Sequence, residues 1–250
     1  MLCTHTTFLT PQPMPLFPHH VLLNGSLHYY DRRENRLLSR KTAWSANLNK
    51  DDSGESCTRE YGYSNSWQPL IRSTKMLTVL CDITSVITTV VGGSGAEGHD
   101  GLNSVNLNYY PMGGGVGYHA DDEFLFDGLN QSILIVSLSL CARNHEVGGH
   151  DGERIFQVKR KRRNIDTDKG EVRCVEGGTI SEITLHHGDI MTMEGMFQKC
   201  YLHSVWPGDD VENVHIDYDR CHGERINLTW RTIVRHLDGS DECCGLICPM

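Results

Sequence analysis

The segment Arg225–Arg231 alternates strictly between polar and apolar residues, and this period of two constrains the fold more than any other feature of the chain. Its three apolar side chains share one face, which predicts a strand backed by a hydrophobic core. The other face carries two arginines with an asparagine and a threonine between them. Two guanidinium groups on one strand face suit a small dicarboxylate, although an exposed strand with a hydrated polar face has the same pattern.

Other segments predict further short strands around one helix. Residues 104–111 alternate with the same period, and residues 132–140 are apolar enough for a buried strand. Residues 69–90 keep an apolar stripe at helical spacing. Antiparallel strands with a helical layer near the start predict a mainly β protein with flanking helices and a double-stranded β-helix core of the jelly-roll or cupin type. The remaining predicted strands are residues 25–30, 154–160, 182–185, 189–193 and 225–236.

The length of 250 residues fits one main domain with short extensions. Residues 1–24 are proline-rich and predict a flexible arm, residues 25–236 predict the domain, and residues 237–250 predict a tail. The ten cysteines form no Cys-x-x-Cys pair, which argues against a zinc ribbon. We expect neither a secretory signal nor a membrane span. The prediction is a monomer of the nucleus or cytoplasm, without membrane contact.

A histidine and an aspartate stand two residues apart after a predicted strand and a glycine turn. In an extended chain, His119 and Asp121 project to the same side and can bind one divalent metal. A second histidine, for which His203 is the candidate, would complete the two-histidine, one-carboxylate set of non-haem iron sites. The spacing recurs in residues 215–217, within a charged stretch that predicts a loop. The first pair is favoured because such a site needs rigid walls.

The order of these elements is itself informative. In chain order they are Asn108-Tyr109-Tyr110-Pro111, His119-Ala120-Asp121, Gly188-Asp189-Ile190, Met193-Glu194-Gly195, His203 and Arg225-Ile226-Asn227-Leu228-Thr229-Trp230-Arg231. This order resembles the AlkB-like family of Fe(II)/2-oxoglutarate dioxygenases. The closing Arg-x-Asn-x-Thr-x-Arg element is highly specific to that family, whereas His-x-Asp occurs across the wider superfamily.

The resemblance implies that His119, Asp121 and His203 bind Fe(II), and that O2 fills the last open coordination position. It implies an oxidative demethylase of N-alkylated bases, which releases succinate, CO2 and formaldehyde. The implied partner is alkylated DNA or RNA, either single-stranded or with the base flipped out of its stack. An oxygenase of the same chemistry that acts on a protein side chain, a lipid or a small molecule is the alternative.

The same resemblance assigns the cosubstrate, 2-oxoglutarate, to the polar face of the last strand. Arg225 would pair with the distal carboxylate with help from Tyr110, and Arg231 would hold the end nearer the metal. Asn108 and Asn227 would complete the hydrogen bonds of the cosubstrate. The alternation agrees, because each strand presents its polar groups on one face.

Three residues are candidates for contact with the substrate. Trp44 and Tyr61 stand in segments similar to those whose aromatic rings border the base pocket in the family, and Glu123 stands where the family often has an acid facing the base. Aromatic residues are also ordinary core material, and Glu123 could equally be a hydrated loop acid.

Residues 159–163 are five consecutive basic residues in a chain with a net charge of −9. They could bind phosphates or act as a nuclear-import sequence. The alternative is a solvated hairpin tip. The acidic balance of the whole chain argues against extensive coating by nucleic acid, so any contact with phosphates must be local.

Overall fold

The computed structural model describes the chain in separate stretches, some with side chains and some by backbone alone. The described backbone comprises residues 3–6, 30–31, 36–37, 40–46, 61–63, 66–68, 71, 73–92, 102–112, 114–123, 125–143, 150–166, 171–206, 223–233, 242–243 and 246–247. The described side chains comprise residues 40–45, 71, 73–91, 102–112, 114–123, 125–142, 152–161, 178–205 and 223–233.

Short strands dominate these stretches. Helix α1 spans Thr74–Gly92 and helix α2 spans Phe197–Cys200. The strands are β1 (Cys3–Thr6), β2 (Tyr30–Asp31), β3 (Arg36–Leu37), β4 (Lys41–Ala46), β5 (Tyr61–Tyr63), β6 (Ser66–Gln68), β7 (Ser104–Tyr110), β8 (Val116–His119), β9 (Ile135–Arg143), β10 (His150–Asp151), β11 (Arg154–Asp166), β12 (Glu171–Leu185), β13 (Ile190–Met193), β14 (Tyr201–Trp206), β15 (Arg225–Arg231), β16 (Glu242–Cys243) and β17 (Leu246–Ile247).

Two antiparallel sheets form the core. The main sheet has the strand order β1-β13-β9-β15-β7-β4, and β10 also pairs with β9. The second sheet has the order β12-β11-β14-β8. The last long strand, β15, therefore lies between β7 and β9, although both precede it by many residues. This arrangement confirms the predicted jelly-roll core, because neighbouring strands come from distant parts of the chain.

The core has two layers, one on each face of the main sheet. Side chains from both sheets, including Trp44, Phe156 and Met191, form the layer between them. Helix α1 covers the outer face, where Leu80 and Trp230 are fully buried. The Trp230 indole N–H donates to the Thr84 hydroxyl over 2.7 Å, which fixes the helix against β15. The apolar residues of β7 and β15 thus contact the helix, and their polar residues point between the sheets.

Helix α1 begins later than residue 69, because Ser73 caps it: its hydroxyl accepts a hydrogen bond from the Met76 amide over 3.4 Å. The expectation of no membrane-spanning segment needs a correction at this helix. Residues Thr74–Val91 have a mean hydropathy of 1.5 and are long and apolar enough, by length and composition alone, to cross a membrane. Of this window, 28 % is buried, and its buried residues pack on the main sheet.

Several predicted strand boundaries differ from the structure. Part of the predicted arm, Cys3–Thr6, is an edge strand paired with Ile190–Met193. The strands β11 and β12 are longer than predicted, because they continue as one hairpin whose register shifts between Val158 and Lys161. The last long strand ends at Arg231 rather than at residue 236. In the predicted tail, β16 and β17 pair as a short hairpin.

Candidate active site

The two predicted histidines face each other across a strand pair. His119 at the end of β8 is in register with His203 of β14, and their ring centroids are 4.3 Å apart. Asp121 follows two residues later: its Oδ1 lies 3.9 Å from Nε2 of His119, and its Oδ2 lies 3.9 Å from Nε2 of His203. One potential ligand atom from each residue lies within 4.8 Å of the others. In the described part of the chain, no other group of three or more histidine, cysteine or acidic residues brings its potential ligand atoms so close together.

The protonation states of this group suit a divalent metal. Burial lowers the pKa of His119, and burial together with the neighbouring His119 lowers the pKa of His203 to about 3. Burial alone would raise the pKa of Asp121, but the charges of Arg231 and of the two histidines hold it well below its usual range. At neutral pH the group therefore presents two neutral imidazoles and one carboxylate, which are the forms that bind metals.

We refer to residues 117–122 as the metal arm, since they carry two of the three candidate ligands. Nδ1 of His119 lies 2.8 Å from the carbonyl oxygen of Gly117, so Nδ1 donates there and Nε2 presents its lone pair towards Asp121. Arg231 donates to Oδ2 of Asp121 from Nη2 over 2.7 Å and from Nε over 3.3 Å. These contacts orient two ligands, and the donor set fits Fe(II).

The polar faces of β7 and β15 form one surface, which we call the cosubstrate wall. Arg225 is in register with Tyr110, and Asn227 with Asn108. The wall is internally bonded: Asn227 accepts hydrogen bonds through Oδ1 from Arg225 and from Ser137, both over 2.9 Å. The predicted cosubstrate residues Asn108, Tyr110, Arg225, Asn227 and Arg231 therefore lie together on one surface between the sheets.

Arg225 is the residue of the wall that most requires a ligand. It is 1 % exposed, and Nη2 donates to Ser139 and Asn227, both neutral. Among the described residues, Nε and Nη1 of Arg225 have no hydrogen-bond partner, and no carboxylate pairs with this guanidinium. The Tyr110 ring, whose centroid is 5.4 Å from the guanidinium carbon, provides a further contact. Because a buried cation without an anion is costly, this geometry fits the distal carboxylate of 2-oxoglutarate.

One cavity connects the candidate metal ligands with the wall. Arg225 lies behind its lining and reaches it through Tyr110 and Asn227. The lining comprises Arg40, Asn106, Asn108, Tyr110, Val116, His119, Asp121, Ser137, Phe156, Leu185, Met191, Met193, His203, Val205, Asn227, Thr229 and Arg231.

Sequence reasoning missed the residue that joins the two halves of the site. Arg154 is fully buried, and its side chain donates to carbonyl oxygens at both ends of the turn before the metal arm, Pro111 and Gly114. It also donates to the carbonyl of Gly223 over 3.0 Å, two residues before Arg225. Only glycine fits at position 152 beside it, because φ is +99° and a Cβ would lie 2.5 Å from the Glu224 carbonyl oxygen.

Two other missed residues had a pattern that could have identified them. Ser137 and Ser139 alternate with apolar residues in β9, so they share one face of a strand that sequence reasoning treated as uniformly apolar. That face is the inner one, where both serines contact the wall. Arg40 lines the cavity next to His119, and no motif predicted it.

The predicted substrate residues are more scattered. Trp44 is 2 % exposed and belongs to the core layer between the sheets rather than to the cavity lining. Tyr61 lies in β5, and its side chain is outside the described residues. Glu123 follows the metal arm, and burial, with the Asp121 charge next, raises its pKa to about 8, so its carboxyl group is protonated at neutral pH. Contact of these three with a substrate stays a prediction, and the competing residues 215–217 lie outside the described stretches.

Comparisons with known proteins place these features in a family. The sequence profile of the 2OG-Fe(II) oxygenase superfamily matches residues 9–231. Among solved structures, OsALKBH1 is 19% identical with a TM-score of 0.42, over 85% of this chain and 87% of that protein. Escherichia coli YcfD, a ribosomal oxygenase, is 11% identical with a TM-score of 0.40, over 92% and 48%. A Pseudomonas putida prolyl-4-hydroxylase is 12% identical with a TM-score of 0.36, over 82% and 76%.

The sequence identities and TM-scores of these three structures are low, and no curated protein sequence matches the chain. The profile, in contrast, covers most of the chain and includes the candidate metal ligands and the whole cosubstrate wall. It confirms the prediction of an Fe(II)/2-oxoglutarate dioxygenase, with Fe(II), 2-oxoglutarate and O2 as metal, cosubstrate and oxidant. The chain belongs to the 2OG-Fe(II) oxygenase superfamily.

Proposed function

We propose that this oxygenase removes N-alkyl groups from bases of DNA or RNA, as AlkB-like enzymes do. The observation that supports this most is the cosubstrate wall, in which Arg-x-Asn-x-Thr-x-Arg of β15 is in register with the Asn-x-Tyr of β7. That closing element is highly specific to AlkB-like dealkylases, whereas the His-x-Asp pair is shared across the superfamily. The register matters because it brings both halves of the motif to one ligand.

Bound Fe(II) and 2-oxoglutarate supply oxidative chemistry, in which cosubstrate decarboxylation to succinate and CO2 accompanies hydroxylation of the alkyl carbon and its loss as an aldehyde. His119, Asp121 and His203 would hold the metal. Arg225 would neutralise the distal carboxylate, while Arg231 fixes the rotation of the Asp121 carboxylate through two hydrogen bonds to Oδ2. The side chains of the protein therefore mainly bind and orient the metal and the cosubstrate, which supply the reactive chemistry.

The apolar part of the cavity would exclude water from the reacting carbon. Phe156, Leu185, Met191 and Met193 line it beside the candidate ligands and carry no ionisable group. Glu123, which follows the metal arm, would contact the base, as the acid at this position often does in the family. We also propose that the enzyme is a monomer and that it is located in the nucleus or the cytoplasm.

A substrate other than nucleic acid is the second candidate, and the charge of the chain favours it. The net charge of −9 repels a polyanion overall. One member of the predicted phosphate-binding run, Lys161, pairs with Asp122 of the protein itself instead. An oxygenase acting on a protein side chain, a lipid or a small molecule would keep the iron site and the wall unchanged.

The test is product release from a matched substrate panel. The purified protein with Fe(II), 2-oxoglutarate and O2 is offered N-methylated single-stranded DNA, duplex DNA and RNA, the same oligonucleotides without the methyl group, and peptides. Succinate and formaldehyde are measured together. We expect both products in equal amounts with at least one methylated nucleic acid, and background succinate alone with its unmethylated control.

Asp121→Ala serves as the inactive control, since it removes a candidate ligand but leaves the cosubstrate wall in place. Formaldehyde from none of the methylated nucleic acids, together with succinate release stimulated by a peptide or small molecule, would favour the second candidate. Equal turnover of methylated and unmethylated oligonucleotides would also contradict base demethylation.

A further inference from the structure

The run of basic residues 159–163 does not form a uniform cationic patch. Lys161 is nearly buried, with 8% of its side chain exposed, and its Nζ donates to Oδ2 of Asp122 and to the carbonyl oxygen of Gln198, both over 2.7 Å. Lys159 lies over the Tyr118 ring at 3.9 Å from the centroid. Arg160, between them, is exposed. Two of the three described members therefore contact the protein itself.

Both contacts of Lys161 lead to the metal arm. Asp122 is the neighbour of the candidate ligand Asp121 in sequence. Gln198 is fully buried in α2, and its Oε1 accepts a hydrogen bond from the Asp121 amide over 2.9 Å. Its Nε2 also contacts Sδ of Met193 over 3.6 Å, which anchors the glutamine to the main sheet. One lysine on β11 thus bonds to the residue after the ligand and to the residue that holds the backbone of the ligand.

We propose that Lys161 is a positioning residue for the metal site, which acts with Gln198 and Asp122 to hold the Asp121 carboxylate in place, and is not a phosphate ligand. The metal arm needs such support because β8 ends at His119, and Asp121 lies beyond the strand ladder. Partners that orient a ligand commonly change metal affinity by about 10-fold to 100-fold when they are removed. The inference rests on Asp121 being an iron ligand, but not on which substrate the enzyme takes.

The proposal predicts an effect opposite in sign to simple electrostatics. A lysine ammonium beside the metal arm repels a divalent cation, so loss of its charge alone would tighten metal binding. Loss of its two hydrogen bonds would instead let the arm move and weaken metal binding. The direction of the change in affinity therefore separates a positioning role from a general charge effect.

The experiment measures Mn(II), a redox-stable stand-in for Fe(II), without any nucleic acid. Free Mn(II) is quantified by its electron paramagnetic resonance signal during titration of the full chain. Lys161→Gln is compared with Arg160→Gln, which removes the same charge from the neighbouring, exposed position. We expect Lys161→Gln to weaken Mn(II) binding by about tenfold or more, and Arg160→Gln to leave it unchanged or slightly tighter. Equal or tighter binding by Lys161→Gln would overturn the proposal.

A second variant tests the same positioning role independently, in case Lys161→Gln does not fold. Gln198→Leu keeps the size of the side chain but removes the acceptor for the Asp121 amide, and should weaken Mn(II) binding by a similar factor. In the double variant the two factors should not multiply, because both act through the same segment. Fully multiplicative factors would mean that Lys161 acts independently of Gln198. Circular dichroism of each metal-free variant checks that the fold is retained.

Asp121→Ala, measured in the same titration, separates this inference from the assignment of the iron site. If Asp121→Ala binds Mn(II) as the parent protein does, the ligand set itself is wrong. If only Lys161→Gln and Gln198→Leu bind normally, the ligand set stands and the positioning role is refuted. Oligonucleotide binding as a function of salt adds a direct check: a flatter salt dependence for Lys161→Gln than for Arg160→Gln would favour a phosphate contact and count against the proposal.

Discussion

The cosubstrate wall and the metal arm lie on the same cavity but are held by different means. The wall belongs to β7 and β15, which stay in register over seven consecutive pairs from Arg225 with Tyr110 to Arg231 with Ser104. The metal arm follows β8, which pairs with β14 at His119 and at Val116, with a register shift between. A backbone ladder therefore positions the cosubstrate residues, whereas side-chain contacts from distant elements position Asp121.

Because the two halves of the site are held differently, we expect them to respond differently to mutation. A ladder fixes every second side chain at once, so a change in a wall residue other than Arg231, which also bonds to Asp121, should affect its own contact and little else. The metal arm depends on contacts from Arg231, Gln198 and Lys161, which come from three separate elements. We expect changes in the arm to have larger effects, and changes in the wall to stay local.

The largest effect is expected for Asp121→Asn. The variant keeps the size of the side chain but removes the negative charge that a metal requires, and Arg231 loses its anionic partner. We expect Mn(II) affinity to fall by more than about a hundredfold, since loss of a ligand costs more than loss of a supporting partner. Succinate release should cease. Asp217→Asn, in the competing His-x-Asp pair, is the matched control, and the reverse outcome would show that the ligand set was wrongly chosen.

A smaller and more selective effect is expected for Arg225→Gln in the wall. Hydrogen bonds to a charged group contribute about 1.5–3 kcal/mol each, so the KM for 2-oxoglutarate should rise by about tenfold to a hundredfold. Mn(II) affinity should stay within about twofold of the parent value, because the ladder holds β15 in place. Steady-state kinetics and the Mn(II) titration test this together, and a parallel loss of metal affinity would break the contrast between the wall and the arm.

The same variant has an informative effect on stability. Because Arg225 is buried without a carboxylate partner among the described residues, we expect the variant, free of metal and cosubstrate, to be at least as thermally stable as the parent protein. Arg225→Lys keeps the charge but not the planar fork, and should give a KM between those of the parent and of Arg225→Gln. A large drop in Tm for Arg225→Gln would mean that the arginine is structural rather than reserved for a ligand.

The contrast also explains what the sequence could and could not predict. The wall follows from a period of two, because alternation fixes which residues share a face, and register is then set by the buried side of the strand. His119, Asp121 and His203 were predicted by their spacing and by the family motif, and the structure brings their side chains together. The sequence could not predict that three further residues belong to the site, because tertiary packing brings them there from distant segments. These residues are Arg154, Lys161 and Gln198. In sequence, Lys161 indicated a surface charge, and only its burial beside Asp122 shows otherwise.

The smallest expected effect is a pH dependence of stability in the metal-free protein, which comes from the candidate metal ligands. Burial and His119 lower the pKa of His203 to about 3, whereas an unfolded chain has a histidine pKa of about 6.5. Between these values the unfolded chain binds more protons than the folded protein, so stability decreases as pH falls below about 6.5, by at most about 1.4 kcal/mol per pH unit for this residue. The pKa of Asp121 is also lowered. Its carboxylate therefore also makes the folded protein less stable as pH falls, but only at more acidic pH.

The measurement is the free energy of unfolding in urea at pH 7 and pH 5.5, without metal, for the parent chain and for His203→Gln. The chain has 14 histidines, so the difference between the two proteins, and not the slope of either one, reports on His203. We expect the parent to lose more stability than His203→Gln over this interval, because only the parent must keep this buried imidazole neutral. Arg225 of the wall keeps its charge throughout, so Arg225→Gln should show the same pH dependence as the parent. Identical slopes for the parent and His203→Gln would mean that His203 is not held neutral by burial, and the distinction between titrating metal ligands and a non-titrating wall would fail.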